Sequence, residues 1–275
     1  MRPPMPRTLN VLLAQLSPRL RQTEANIETV DKLIAGRPEA DLAVFPELFL
    51  SGYTTVGLED LAVDPDGPEI GRVARAARDH STAVIVGVPE RFDGEYANSA
   101  VYIGRDGTVA GVYRKTHLFG SERGAFVPGD DLLVVDVEGS KAGLMICFDV
   151  EFPEVARSLA RAGADLLVTI SANMEPFGRD HHVFAVARAI ENGLPHAYVN
   201  QIGPGEEFTF TGGTMAVSAD GDLLAEADPA AEEVLFLKLD LSARSSLRPD
   251  YLNQTRPPLP VTGDATSTPG GHRQG

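Results

Sequence analysis

The sequence predicts an α/β protein in which two stacked sheets carry helices on their outer faces. Short β-branched runs alternate with longer amphipathic stretches, and tight hairpins are mixed with strand–helix units. Residues 9–15 read as a strand. Residues 23–35 read as a helix, with Ile27, Val30, Leu33 and Ile34 at helical spacing. A short buried strand at 42–45 runs into Pro46-Glu47. Residues 69–80 are helical, and Ala-Val-Ile-Val-Gly-Val at 83–88 is a buried strand. Strands at 99–103 and 109–113 are joined by a turn whose Asp106-Gly107 is a hairpin signal.

In the second half, strands at 132–137 and 142–147 flank a Glu-Gly-Ser-Lys turn, so a hairpin delivers Cys147. Pro153 opens a helix running to 162, as proline does in a first turn. A strand at 166–170, a helix at 180–192 and a strand at 196–200 follow. Strands at 213–217, 223–225 and 234–239 finish the sheets, with Asp220-Gly221 as a further turn. Residues 2–7 are expected to fray. From 262 to 275 the composition turns to Gly, Thr, Ser and Pro without periodicity, which predicts a disordered tail after a domain spanning 1–261.

Composition narrows the function classes. A hydrophobic content of 43% with 23% charged residues suits a soluble globular protein. No apolar run approaches the ~20 residues that span a bilayer, and the N-terminus does not read as a secretory signal. A net charge of -15 argues against nucleic acid, which needs a positive footprint. A cytoplasmic protein with no membrane partner is the expectation, in a reducing compartment where a free thiol persists.

Cys147 is the single cysteine, which excludes an intrachain disulfide and a cysteine-rich zinc site. It is either a small buried hydrophobe or a nucleophile at a strand end, where open α/β sheets build their sites. Three other ionisable groups interrupt the apolar pattern nearby. Glu47 lies between Val44-Phe45-Pro46 and Leu48-Phe49-Leu50, where desolvation would raise its pKa towards that of a general base. Lys115 follows the strand Val112-Tyr113-Arg114, and in a closed pocket its ammonium could hold an oxyanion. Glu122 sits in the loop after it. Each alone also reads as a solvated turn or strand end. Together they supply nucleophile, base and cation in the chain order Glu, Lys, Cys.

Phe45-Pro46-Glu47, Tyr113-Arg114-Lys115-Thr116-His117-Leu118-Phe119 and Gly143-Leu144-Met145-Ile146-Cys147-Phe148-Asp149 resemble the three catalytic segments of the nitrilase superfamily of carbon–nitrogen hydrolases. The likeness runs from residue 9 to about 241. It implies a four-layer α-β-β-α sandwich and a homodimer or larger assembly; the residues themselves lead us to expect no metal and no other cofactor. It also implies roles: Glu47 the general base, Lys115 the oxyanion stabiliser, Cys147 the acylated nucleophile and Glu122 the carboxylate that positions substrate and lysine. The N–H of Phe148 becomes an oxyanion donor, and Asn173 in Ser171-Ala172-Asn173-Met174 a residue shaping the pocket. Asp149 and Glu151 read as structural, bonding nearby backbone or arginines such as Arg157. The histidines match neither a base at a strand end nor the i, i+4 spacing of a zinc pair.

Several segments look most like the bacterial amidases that hydrolyse 5-aminopentanamide and their stereoselective relatives. That resemblance implies a small-molecule amide substrate bearing an amine, which Glu175 or Asp180 would meet. The alternatives are an ω-amidase, an N-carbamoyl amidohydrolase or a nitrilase of the same superfamily. An ammonia-feeding glutaminase domain and a noncatalytic module fit less well, the first for want of a synthetase domain and the second because Glu47, Lys115 and Cys147 are all present.

Overall fold

Side-chain alternation along the first strand sets the layering. In the computed structural model, which describes residues 7–241 and 249–257, β1 (Thr8–Gln15) turns Leu9, Val11 and Leu13 into one apolar cluster and Leu12 and Ala14 into another. There follow α1 (Thr23–Ala35), β2 (Leu42–Val44), a one-turn α2 (Leu58–Leu61), α3 (Pro68–His80), β3 (Ala83–Phe92), β4 (Glu95–Ile103) and β5 (Val109–Arg114). The second half supplies β6 (Val134–Val137), β7 (Ser140–Ile146), α4 (Pro153–Arg161), β8 (Leu166–Ser171), α5 (Gly178–Asn192) and β9 (His196–Asn200). A small hairpin of β10 (Ile202–Pro204) and β11 (Thr209–Thr211) precedes β12 (Met215–Val217), β13 (Leu223–Glu226) and β14 (Glu233–Asp240).

The strands form two six-stranded sheets, ordered β14-β1-β2-β3-β4-β5 and β13-β12-β9-β8-β7-β6. Parallel triplets, β1-β2-β3 and β7-β8-β9, sit at their centres, with helices as the crossovers. The inward faces meet in one core, where Val11, Val44 and Ile85 of the first sheet join Leu144, Val168 and Val199 of the second. The outer face of the first sheet is covered by Ile27, Val30 and Ile34 of α1 and by Ile70 and Val73 of α3. On the second, α4 seats Val155 and Leu159, and α5 seats Ala185 and Ala189. The result is the expected four-layer α-β-β-α sandwich.

Some bounds differ from the sequence reading. The β3–β4 hairpin extends past the expected ends at 88 and 99 to Phe92 and Glu95, because Asp93 and Gly94 both adopt left-handed φ and close it tightly (φ 50° and 81°). The β10–β11 hairpin and α2 were not expected. Arg7 is not frayed: its guanidinium pairs with Asp165 at 3.0 Å, and its carbonyl accepts from Leu241 N at 2.8 Å. The expected tail from 262 lies outside the described residues. Among the described residues, no helix is long and apolar enough to cross a membrane.

Candidate active site

β2 ends at Val44, and the chain turns sharply through Phe45-Pro46-Glu47. Leu48 takes a left-handed φ of 47°, an unfavourable conformation for a leucine. β3 presses against this turn through Gly87, whose N–H donates to Pro46 O at 3.2 Å. A Cβ on Gly87 would come within 2.4 Å of Pro46 O and Leu48 N, so only glycine lets the strand approach. The turn thereby aims Glu47 into the interior, where it is fully buried. Its Oε1 accepts from Lys115 Nζ at 2.7 Å and from Asn98 Nδ2 at 2.7 Å, while Oε2 accepts from Ala172 N at 2.8 Å.

Lys115 leaves the end of β5 with its N–H bonded to Asn98 O at 2.9 Å. Its ammonium also reaches Glu122 Oε1 at 2.9 Å and Oε2 at 2.8 Å. Glu122 is held in the 3-10 turn Gly120–Gly124, accepting from Phe119 N at 2.8 Å and Tyr53 OH at 3.0 Å. Cys147 begins a second 3-10 turn, Cys147–Glu151, directly after β7, and it too has left-handed φ, 47°. The sequence reading had it as the last residue of the strand. Asp149 stabilises this bend by accepting from Ile146 N at 2.9 Å, Tyr113 OH at 2.7 Å and Thr116 Oγ1 at 2.8 Å, which ties the cysteine turn to the lysine loop.

Two buried carboxylates thus share one buried ammonium, and the thiol lies within electrostatic reach of all three. Burial pushes Glu47 up to about 7, with Lys115 pulling it down and Glu122 pushing it further up. Burial works against the Lys115 ammonium, but Glu122 and Glu47 outweigh it and hold the lysine well above its ordinary value. Burial, and then Glu47, push the Cys147 thiol up, against the opposing pull of Lys115 and a hydrogen bond with Ser171. The resting sulfur is therefore a thiol, and a nearby carboxylate that titrates near neutrality is able to take its proton.

The family model for carbon–nitrogen hydrolases matches residues 10–249. The chain belongs to this family. It is a hydrolase acting on carbon–nitrogen bonds, of the nitrilase superfamily, with an active-site cysteine. An (R)-stereoselective amidase of a Pseudomonas species is 36% identical over 97% of this chain and 97% of its own length. A 2-oxoglutaramate amidase of Paenarthrobacter nicotinovorans is 30% identical over 88% of this chain and 83% of its own. The crystal structure of an amidase from Nesterenkonia sp. superposes with a TM-score of 0.80 at 30% identity, covering 90% of this chain and 93% of that one. A mutant of that amidase carries the acetamide moiety of fluoroacetamide added covalently at its active-site cysteine.

The remaining expected site residues of the hydrolase divide. Phe148 sets its ring edge-on to Phe119 and Phe152, with centroids 5.4 Å and 5.0 Å away, in an aromatic wall beside the cysteine. Asn173 is buried next to Ala172. Its N–H donates to Asn200 Oδ1 at 2.7 Å, and its Nδ2 has no hydrogen-bond partner among the described residues. Glu175 and Asp180 are exposed and contribute nothing to the charged cluster. Glu151 bonds His181 at 3.3 Å, and Arg188 rather than Arg157 holds its carbonyl, at 2.9 Å. Sequence reasoning missed Tyr53, Asn98 and the Ala172 N–H. A cavity of about 30 Å³ lies against Tyr53, walled by Thr54, Phe208 and Phe210 and lined also by Ser121, Glu206 and Glu207.

Proposed function

We propose that the protein is an amidase that converts a small aliphatic primary amide to carboxylate and ammonia through an acyl-cysteine on Cys147. The observation that carries this reading is the buried Glu47–Lys115–Glu122 cluster within electrostatic reach of a single thiol. Cys147 Sγ attacks the amide carbon while Glu47 takes the thiol proton, and the carbonyl electron pair moves onto oxygen. Lys115 and the Phe148 N–H hold that oxyanion. As the tetrahedral intermediate collapses, the C–N bond breaks and Glu47 returns the proton to the leaving ammonia. Water then attacks the thioester with Glu47 again as base, releasing the acid and restoring the thiol. Glu122 keeps Lys115 charged and aimed, and Asn173 helps to shape the pocket.

An ω-amino amide such as 5-aminopentanamide is the substrate this reading favours. The sequence resemblance supports it, and so do the carboxylates of Glu206 and Glu207 on the cavity beside Tyr53. Like Glu175 they are exposed, but unlike Glu175 they line that cavity. A second reading, an ω-amidase, draws on Arg21, which lies behind the cavity lining, donating to Val56 O at 2.9 Å and approaching Glu206 at 3.7 Å. The deciding comparison is ammonia release from 5-aminopentanamide, pentanamide and glutaramate. The amino compound should win by roughly three- to tenfold, mostly in KM, because a remote ion pair acts equally before and at the transition state. A preference for glutaramate transfers the assignment to the ω-amidase, and equal rates for the first two leave only an aliphatic amidase.

Self-association completes the reading. α5 exposes Val183, and β13, joined to it by a His182–Glu226 pair at 3.4 Å, exposes Leu223 and Leu224. Such an apolar surface suits a homodimer or larger assembly. Light scattering at micromolar concentration is expected to give at least twice the chain mass, and a monomer would refute the assembly without touching the chemistry.

A further inference from the structure

Asn98 occupies a fully buried position in β4, between Ala97 and Ser99, which are also buried. Its side-chain Nδ2 lies 2.7 Å from Glu47 Oε1 and 3.3 Å from Glu122 Oε1. Lys115 Nζ reaches the same two oxygens at 2.7 Å and 2.9 Å. An amide and an ammonium therefore bridge one pair of carboxylate oxygens side by side. The amide cannot be turned over, because its oxygen would then face two acceptors. In the orientation the carboxylates impose, Oδ1 is buried with no hydrogen-bond partner among the described residues. An apolar side chain of the same size would avoid that orphaned oxygen, so packing alone does not account for an asparagine here.

We propose that Asn98 is a positioning residue of the reaction, a neutral second bridge that holds Glu47 as a ready proton acceptor beside Glu122. This rests on the reading of Glu47 as the base that takes the thiol proton. Two carboxylates facing one ammonium repel each other, and a further cation would bind Glu47 too strongly for it to accept a proton. An amide N–H favours the ionised carboxylate without adding charge. The titratable groups that face Glu47 are Lys115, Glu122, Cys147, Tyr53 and Tyr198. Of these only Lys115 is a cation, so the loss of the Asn98 donor leaves burial and Glu122 less opposed. Glu47 then keeps its proton to higher pH.

The test is the pH profile of kcat/KM, which reports the free enzyme. In the parent, activity should fall as pH drops through about 7, the region where Glu47 titrates. In Asn98→Leu the acid limb is expected to move up by about one unit, giving a roughly tenfold loss near neutrality that shrinks well above the limb. Asn98→Ser, whose hydroxyl is too short to bridge both carboxylates, should shift in the same direction. It disturbs the core differently, so it carries the test if the leucine variant does not fold. A loss of equal size at every pH, or an unmoved limb in a folded variant, overturns the proposal. Full activity in Glu47→Gln would instead remove the reading beneath it. An inactive Glu47→Gln together with an unmoved limb in the Asn98 variants sinks this inference alone.

Discussion

Cys147→Ala is expected to lower turnover by at least about 10⁴-fold, the scale on which removal of a covalent nucleophile is felt. The fold should survive, because the change removes one sulfur from a site already shaped by its neighbours. Asp149 still accepts from Ile146 N and Tyr113 OH, so the bend after β7 remains held. The Glu47–Lys115–Glu122 cluster does not depend on the sulfur for any of its hydrogen bonds. Substrate binding should therefore persist while the chemistry stops. Cys147→Ser should be nearly as inactive, since an alcohol is a far poorer proton donor to a carboxylate that titrates near neutrality. Mass spectrometry of the parent with a slowly hydrolysed amide is expected to find the acyl group on Cys147. Undiminished turnover by the alanine variant would end the reading of the site.

Glu47, Lys115 and Cys147 stand out in the sequence because each interrupts an apolar run where a strand ends, whereas Glu122 lies in the loop Gly120–Gly124. Glu47, Lys115 and Cys147 follow β2, β5 and β7, and the sandwich gathers those ends at one place. Asn98 was not legible for a reason that lies in the layering. In a half-exposed sheet, adjacent Asn98 and Ser99 would point to opposite faces and one of them would meet water. Here both faces of the sheet are covered, so Asn98 and Ser99 are both buried and each must find a partner inside. Ser99 finds Glu90 at 2.6 Å, and Glu90 in turn holds Arg114. Ala172 escaped notice because it contributes its backbone N–H, which no side-chain pattern announces. Glu175 lies two residues from the buried Asn173, but the chain turns outward there and its side chain is exposed. Glu206 and Glu207 reach the cavity beside Tyr53 from the loop between β10 and β11, a hairpin too short to stand out as periodicity.

Lys115→Met should be the most damaging single change to the folded state, and its effect should depend on pH. With the lysine, two buried carboxylates and one ammonium together carry at most a single negative charge. Without it, Glu47 and Glu122 face each other with only neutral donors between them. Breaking a buried ion pair from one side costs about 3–5 kcal/mol, which for a chain of this size lowers the melting temperature by roughly 10 °C. Glu47, which burial already raises to about 7 in the parent, loses the pull of Lys115 and holds its proton more tightly still, further above its unfolded value. The stability such a group contributes is fully present below the unfolded carboxylate range and is lost as pH rises through the raised folded value. The gap in melting temperature between variant and parent should therefore be widest in mild alkali and narrow as the solution is acidified. Adding Glu122→Gln to Lys115→Met removes one of the opposed charges and should recover much of the stability. It should not recover activity, because no cation remains for the oxyanion, a loss on the order of 10³-fold. A Lys115→Met protein as stable as the parent at every pH would show that the buried cluster is not charged as argued. An active double variant would show that Lys115 is there for the fold alone.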